Sequence, residues 1–74
     1  NPGTVISYQL ADNSDVTLKV FDMLGREVAM LVNERKSAGS YQVNFDASKL
    51  SSGMYIYRLQ AGGKVFTEKM MLIK

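Results

Sequence analysis

The sequence predicts an all-β fold: a small antiparallel β-sandwich, immunoglobulin-like in its layering, with six to seven strands. Three observations predict it. Glycines and short polar clusters cut the 74-residue chain at regular intervals, leaving segments of about seven to twelve residues, the spacing of sandwiches and barrels. Most of these segments alternate apolar and polar side chains with period two, the pattern of a half-buried strand. Their apolar positions are rich in Tyr, Val, Phe and Ile, which suit a pleated surface better than a helix.

Each segment can be justified in turn. Asn1-Pro2-Gly3 reads as the end of a linker. Residues 4–10 set Ile6, Tyr8 and Leu10 on one face and Ser7 and Gln9 on the other. After the polar turn Asp12-Asn13-Ser14-Asp15, residues 15–22 set Val16, Leu18 and Val20 inward and Thr17 and Lys19 outward, with Phe21 breaking the alternation. Asp22-Met23-Leu24-Gly25 is a tight connection in which Gly25 supplies a positive φ. Residues 26–33 carry Val28, Leu31 and Val32 at a spacing that also fits a helix. Their strand neighbours make a strand the better reading, ending at the polar run Asn33–Ser37.

Residues 41–46 alternate Tyr41, Val43 and Phe45 with Gln42 and Asn44. Asp46 to Leu50 forms a single helical or Asx-type turn, capped by Asp46, with Leu50 dropping into the core. Residues 54–60 set Tyr55, Tyr57 and Leu59 against Ile56 and Arg58. Gly62-Gly63 reads as a hairpin turn. In residues 64–73, Met70 and Leu72 share one face and Met71 and Ile73 the other. Such a strand is buried on both sides or awaits a partner. The expected core is Ile6, Leu18, Val20, Val43, Tyr55, Tyr57 and Leu59.

Composition excludes most chemistry. With no cysteine and no histidine, there is no disulfide, no thiolate ligand and no Ser-His-Asp or Cys-His system. The apolar fraction of 46% suits a small core rather than a disordered tail. A net charge of +2 is weak for a nucleic-acid partner. No apolar run reaches the roughly 20 residues of a membrane span. Asp22 and Asp46 could be read as paired carboxylates, and Asp12 to Asp15 as hard oxygen ligands for calcium, but turn capping and a polar β-turn explain them better. No cofactor site emerges. The four tyrosines fall mostly on inward sets, which argues against a stacking surface. The last strand, with Lys64 and Lys69 along it and Lys74 at its end, could be a solvated face or an edge open to β-augmentation.

Several segments in order carry a family resemblance. They are residues 16–22 (VTLKVFD), Leu24-Gly25-Arg26-Glu27-Val28, Ala38-Gly39, Phe45-Asp46, Leu50-Ser51-Ser52-Gly53-Met54-Tyr55, and Arg58-Leu59 with Lys69 and Lys74. The chain resembles, over nearly its whole length, the type A C-terminal sorting domain of type IX secretion. Phe21 and Phe45 stand where Tyr and Trp are commoner in that family. The resemblance implies the non-catalytic tail of a larger exported protein, joined to an N-terminal cargo domain in the same chain. It implies recognition in the periplasm, passage of the cargo across the outer membrane by the type IX translocon, and removal by a sortase-like peptidase. The localisation implied is the periplasm in transit, then the cell surface or medium. The motif positions are Gly25, Arg26, Gly53, Tyr55, Arg58, Lys69 and Lys74. Gly25 and Gly53 in their turns, the Arg26–Asp22 pair and Tyr55 are expected to maintain the fold. Lys69 and Lys74 are equally open to contact with a receptor. A structural or ligand-binding immunoglobulin-like module, a spacer or carbohydrate-binding appendage of a cell-surface protein, is the alternative.

Overall fold

The structure, a computed structural model, describes residues 3–73. Asn1, Pro2 and Lys74, and the readings placed on them, lie outside the described residues. Six antiparallel strands follow one another: β1 (Gly3–Leu10), β2 (Ser14–Asp22), β3 (Glu27–Lys36), β4 (Gly39–Asp46), β5 (Gly53–Ala61) and β6 (Lys64–Leu72). They form two sheets, β1-β4 and β3-β2-β5-β6. The β2–β3 and β5–β6 hairpins stay within the larger sheet, while the other three connections cross between layers.

The core lies between the sheets. Ile6, Tyr8 and Leu10 of β1 meet Val16, Leu18 and Val20 of β2, with Val32, Phe45, Tyr55, Leu59 and Leu72 around them. Leu18 and Val20 are fully buried. Ala47, in the β4–β5 connection, is also fully buried, and Leu50 packs half-buried against the core. Two residues of the expected core differ. Val43 and Tyr57 are only half-buried. Val43 lies on β4, which has β1 as its one neighbour and pairs it with buried Ile6, and Tyr57 pairs with exposed Glu68 of β6.

β3 is longer than the sequence suggests, running through the polar residues to Lys36 because Ser14 to Leu18 pair with them continuously. Two register shifts in the β2–β3 ladder explain its helix-like spacing. Leu18 pairs with Val32 and Lys19 with Met30, skipping Leu31; Val20 pairs with Ala29 and Phe21 with Glu27, skipping Val28. An extra residue at each bulge spoils period two without breaking the strand.

β6 also departs from expectation. It pairs with β5 alone and is an edge strand. Only Leu72 is buried in it. Val65, Phe66 and Met71 are more than half exposed, and Ile73, just beyond, is 80% exposed. The reading of a strand buried on both sides is therefore corrected. The two-stranded layer is too narrow to cover β6.

Two tyrosines fasten the crossings. The Tyr41 hydroxyl donates to the Ser37 carbonyl at the β3–β4 connection, and the Tyr55 hydroxyl donates to the Ser51 carbonyl (2.8 Å) at the β4–β5 connection. Both reach four residues back, as tyrosine corners in sandwiches do. Asn13 Oδ1 accepts from the Ala38 amide (2.8 Å), tying a third crossing to the first.

Candidate functional site: one end and one face of the larger sheet

Strand register decides where the motif residues go. Asp22 pairs with Tyr55, Tyr55 with Met70, and Gly53 with Leu72. The β2–β3 turn, the start of β5 and the end of β6 therefore share one end of the four-stranded sheet. Gly25, Arg26, Gly53 and Tyr55 all lie there. Arg58 and Lys69 lie on the sheet itself, on its outer face.

The turn is built around one carboxylate. Asp22 Oδ1 accepts from the Leu24 amide (2.9 Å) and the Arg26 amide (3.0 Å), and Asp22 Oδ2 accepts from Arg26 Nε at 2.8 Å. The Gly25 amide donates to the Asp22 carbonyl (3.0 Å), and Gly25 adopts φ +85°, which a side chain would strain. The Arg26 amide above all, with the Arg26 guanidinium and the Leu24 amide, holds the Asp22 carboxyl below the usual carboxylate range against the opposing effect of desolvation. The expected Asp22–Arg26 pair is thus present, and Arg26 serves the turn. Asp46 caps its own turn by accepting from the Ser48 amide (2.9 Å). The two carboxylates of the acid–base reading are both caps, and among the described residues no cluster of acidic groups could hold a metal ion.

Gly53 opens β5 at φ +150° with open space around the position of a Cβ. The requirement for glycine there is conformational. Tyr55 is buried and anchors Ser51 as above. This explains the spacing of the Leu50-to-Tyr55 motif: the tyrosine ring fills the core while its hydroxyl fixes the loop before Gly53.

The outer face was not legible as a unit in the sequence. Residues directly opposite in an antiparallel ladder share a face. One row runs Glu27, Phe21, Ile56, Lys69 and the next Met30, Lys19, Arg58, Thr67. Met54 and Met71 pair beside them. The Arg58 guanidinium stands 4.8 Å over the Phe21 ring, a cation–π contact. Lys19 meets Glu27 at 3.4 Å. Phe21, Met23, Ile56, Arg58 and Thr67 line a shallow depression of about 280 Å³ with Asp22 and Gly25 at its end. The signal for this face was the apolar Phe21 where alternation called for a polar residue, and β5, whose Met54 and Ile56 are apolar on the side opposite Tyr55.

Among the described residues this arrangement contains no nucleophile–base pair, and its geometry serves turns, a loop anchor and a surface. The family comparison decides what it belongs to: the model of the secretion system C-terminal sorting domain matches residues 1–74. The chain belongs to that family. No curated protein and no solved structure matches it. A type IX sorting domain is a non-catalytic module that directs the secretion of its cargo across the outer membrane, through interaction with the secretion machinery. In this sorting domain, Gly25, Arg26, Gly53 and Tyr55 are placed in turns and core, while Arg58 and Lys69 face outward.

Proposed function

We propose that this sorting domain forms the C-terminal tail of a larger exported protein and that the outer-membrane type IX translocon reads it in the periplasm, before a sortase-like peptidase removes it and the cargo reaches the cell surface or medium. The observation that carries the reading is β6, an edge strand paired on one side only, with Lys69 exposed on it. An unpaired edge presents backbone donors and acceptors that a partner strand can extend. Gly25, Arg26, Gly53 and Tyr55 keep that edge in place; Arg58, Lys69 and Lys74 are the positions proposed for contact.

The test is a fusion of residues 1–74 to the C-terminus of a periplasmic reporter in a bacterium with a type IX system. The reporter is expected at the surface or in the medium. Deleting residues 70–74 is expected to abolish export, partly by removing Leu72, whose burial contributes roughly 1.5–3 kcal/mol. Ile73, being exposed, contributes little to that loss. Replacing Lys69 and Lys74 with Ser separates recognition from folding, since it leaves Leu72 in place. Reduced export with an unchanged melting temperature supports direct reading. A fusion that is never exported defeats the reading and favours an immunoglobulin-like spacer.

A further inference from the structure

The two sheets turn very different faces to solvent. The outer face of β1-β4 carries Ser7, Gln9, Ser40, Gln42 and Asn44, all exposed, with Val5 the large apolar exception. The outer face of the four-stranded sheet carries Phe21, Met30, Met54, Ile56, Val65 and Met71. Met30, Val65 and Met71 are 47%, 54% and 58% exposed. The β2–β3 turn extends this surface with Met23 and Leu24, 58% and 79% exposed. Exposed apolar side chains gathered on one face, interleaved here with Lys19, Arg58, Thr67 and Lys69, mark an interaction site, and methionines let such a surface adapt to its partner.

The charges left unpaired on this face are of one sign, since its carboxylates Glu27 and Asp15 are met by Lys19 and Arg35. Arg58 and Lys69 form no ion pair among the described residues, and Arg58 Nε is buried without a hydrogen-bond partner. Arg58 is held over Phe21 at the centre of the apolar surface, and Lys69 sits at its β6 margin opposite Ile56.

We propose that the outer face of the four-stranded sheet is the docking surface for a protein of the secretion machinery that presents an apolar patch with carboxylates placed to meet Arg58 and Lys69. The inference rests on the sorting reading and assigns it a face. Charge complementarity selects this occupant. A second copy of this face offers only carboxylates already engaged, Glu27 by Lys19 and Asp15 by Arg35, so it cannot meet Arg58 and Lys69 without breaking those pairs, which disfavours self-association. An anionic membrane needs more cations than two, since lipid-binding clusters carry about four to eight. The face also ends at the open edge of β6, so a partner covering it can pair with that edge.

The experiment uses the reporter fusion and the same domain in purified form. One variant combines Lys69→Glu with Met71→Glu, two exposed neighbours on the outer face of β6. The control combines Val5→Glu with Gln42→Glu on the opposite face. Export, and affinity for purified outer-membrane translocon, are measured for each, with melting temperatures as the check on folding. The β6 variant is expected to lose about tenfold or more in affinity and most of its export, while the control stays within about twofold of wild type. Wild-type affinity is expected to fall at high salt. If the β6 variant fails to fold, Lys69→Ser alone carries the test, with a loss of about threefold expected. Wild-type export with equal export by the β6 variant overturns the proposal and leaves the sorting reading intact. Failure of the wild-type fusion itself is a failure of the sorting reading. Binding to phosphatidylglycerol vesicles that the β6 variant loses, with translocon affinity unchanged, assigns the face to lipid and overturns the proposal. A concentration-dependent dimer abolished by the β6 variant overturns it in favour of a second copy.

Discussion

β2 and β6 are both nine residues long and belong to the same sheet, yet they contribute to the protein in opposite ways. β2 is paired on both sides, and its inward residues Val16, Leu18 and Val20 are 0–1% exposed. β6 is paired on one side, and on its corresponding face Lys64, Phe66 and Glu68 are exposed. The rows are continuous: Leu18 pairs with Leu59 and Leu59 with Phe66. A single row of side chains therefore passes from complete burial to 55% exposure across two ladder steps. For Phe66 the difference does not come from the side chain's own hydrophobicity. It comes from the opposite layer, which has two strands where this one has four. Strand position fixes stability, and the uncovered strand keeps the surface that we propose for recognition.

The sharpest way to break the comparison is Leu18→Ala. The cavity in the centre of the sandwich is expected to cost about 2–5 kcal/mol. A domain of this size has roughly 4–11 kcal/mol in all, so the variant should be partly or wholly unfolded at 37 °C by circular dichroism and urea titration. Leu72→Ala is the matched change on β6 and is expected to fall at the lower end of the same range. A Leu18→Ala variant with wild-type stability would mean that β2 is not the centre of the core.

Gly53→Val comes next, with an expected cost of about 1–3 kcal/mol. Gly53 starts β5 opposite Leu72, the one buried residue of β6. Because a Cβ there meets nothing within 4 Å, the cost is one of backbone conformation at φ +150°. Gly53→Ala should therefore cost nearly as much as Gly53→Val. A large gap between the two, measured by denaturant midpoint, would point to a steric cause that the geometry lacks.

Much of this was readable in the residues. β1 and β4 alternate cleanly, as β2 does as far as Val20, and Gly25 and Gly62-Gly63 adopt the positive φ their turns require. The Asp22–Arg26 pair follows from local spacing and the burial of Tyr55 from alternation, whereas the hydrogen bond from the Tyr55 hydroxyl to Ser51 had no mark in the sequence. β3 was obscured by two bulges, since a skipped residue shifts the phase of every later side chain. The division of strands between layers is a long-range property with no local mark. It decided the half-burial of Val43 and Tyr57 and the exposure of Phe66. The outer apolar face was hidden for a related reason: Met54 and Ile56 alternate with inward tyrosines, so β5 reads as apolar throughout.

Asp22→Asn tests the far end of β2 and is expected to cost less than the glycine change. The folded-state pKa of Asp22 lies below the usual carboxylate value. Its contribution is thus present above the unfolded pKa of about 3.9 and is lost as pH falls through the lower, folded value. At pH 7 the variant should melt below wild type. Through the acid range the two melting curves should converge, because wild-type Asp22 then becomes protonated as well. A difference that stays constant with pH would mean that the carboxylate's charge is not what holds the turn.

The smallest effect is expected from Phe66→Thr. Phe66 belongs to the inward row of Leu18 and Leu59, and by sequence alone it would be ranked with them. Its exposure says otherwise. Threonine keeps the strand propensity of the position, so little is lost except partial apolar contact, and the expected cost is below about 0.5 kcal/mol. Side by side with Leu18→Ala, the pair measures how sharply stability falls across one sheet row. A cost above about 1.5 kcal/mol would mean that the inward face of β6 is covered in solution. The cover would then have to be another molecule, because the two-stranded sheet does not reach it. A wild-type melting temperature that rises with protein concentration, and a variant whose melting temperature does not, would identify that molecule as a second copy. A concentration-independent melting temperature together with a small Phe66→Thr cost leaves β6 as the structure has it: held by β5 and Leu72, and open along the rest of its length.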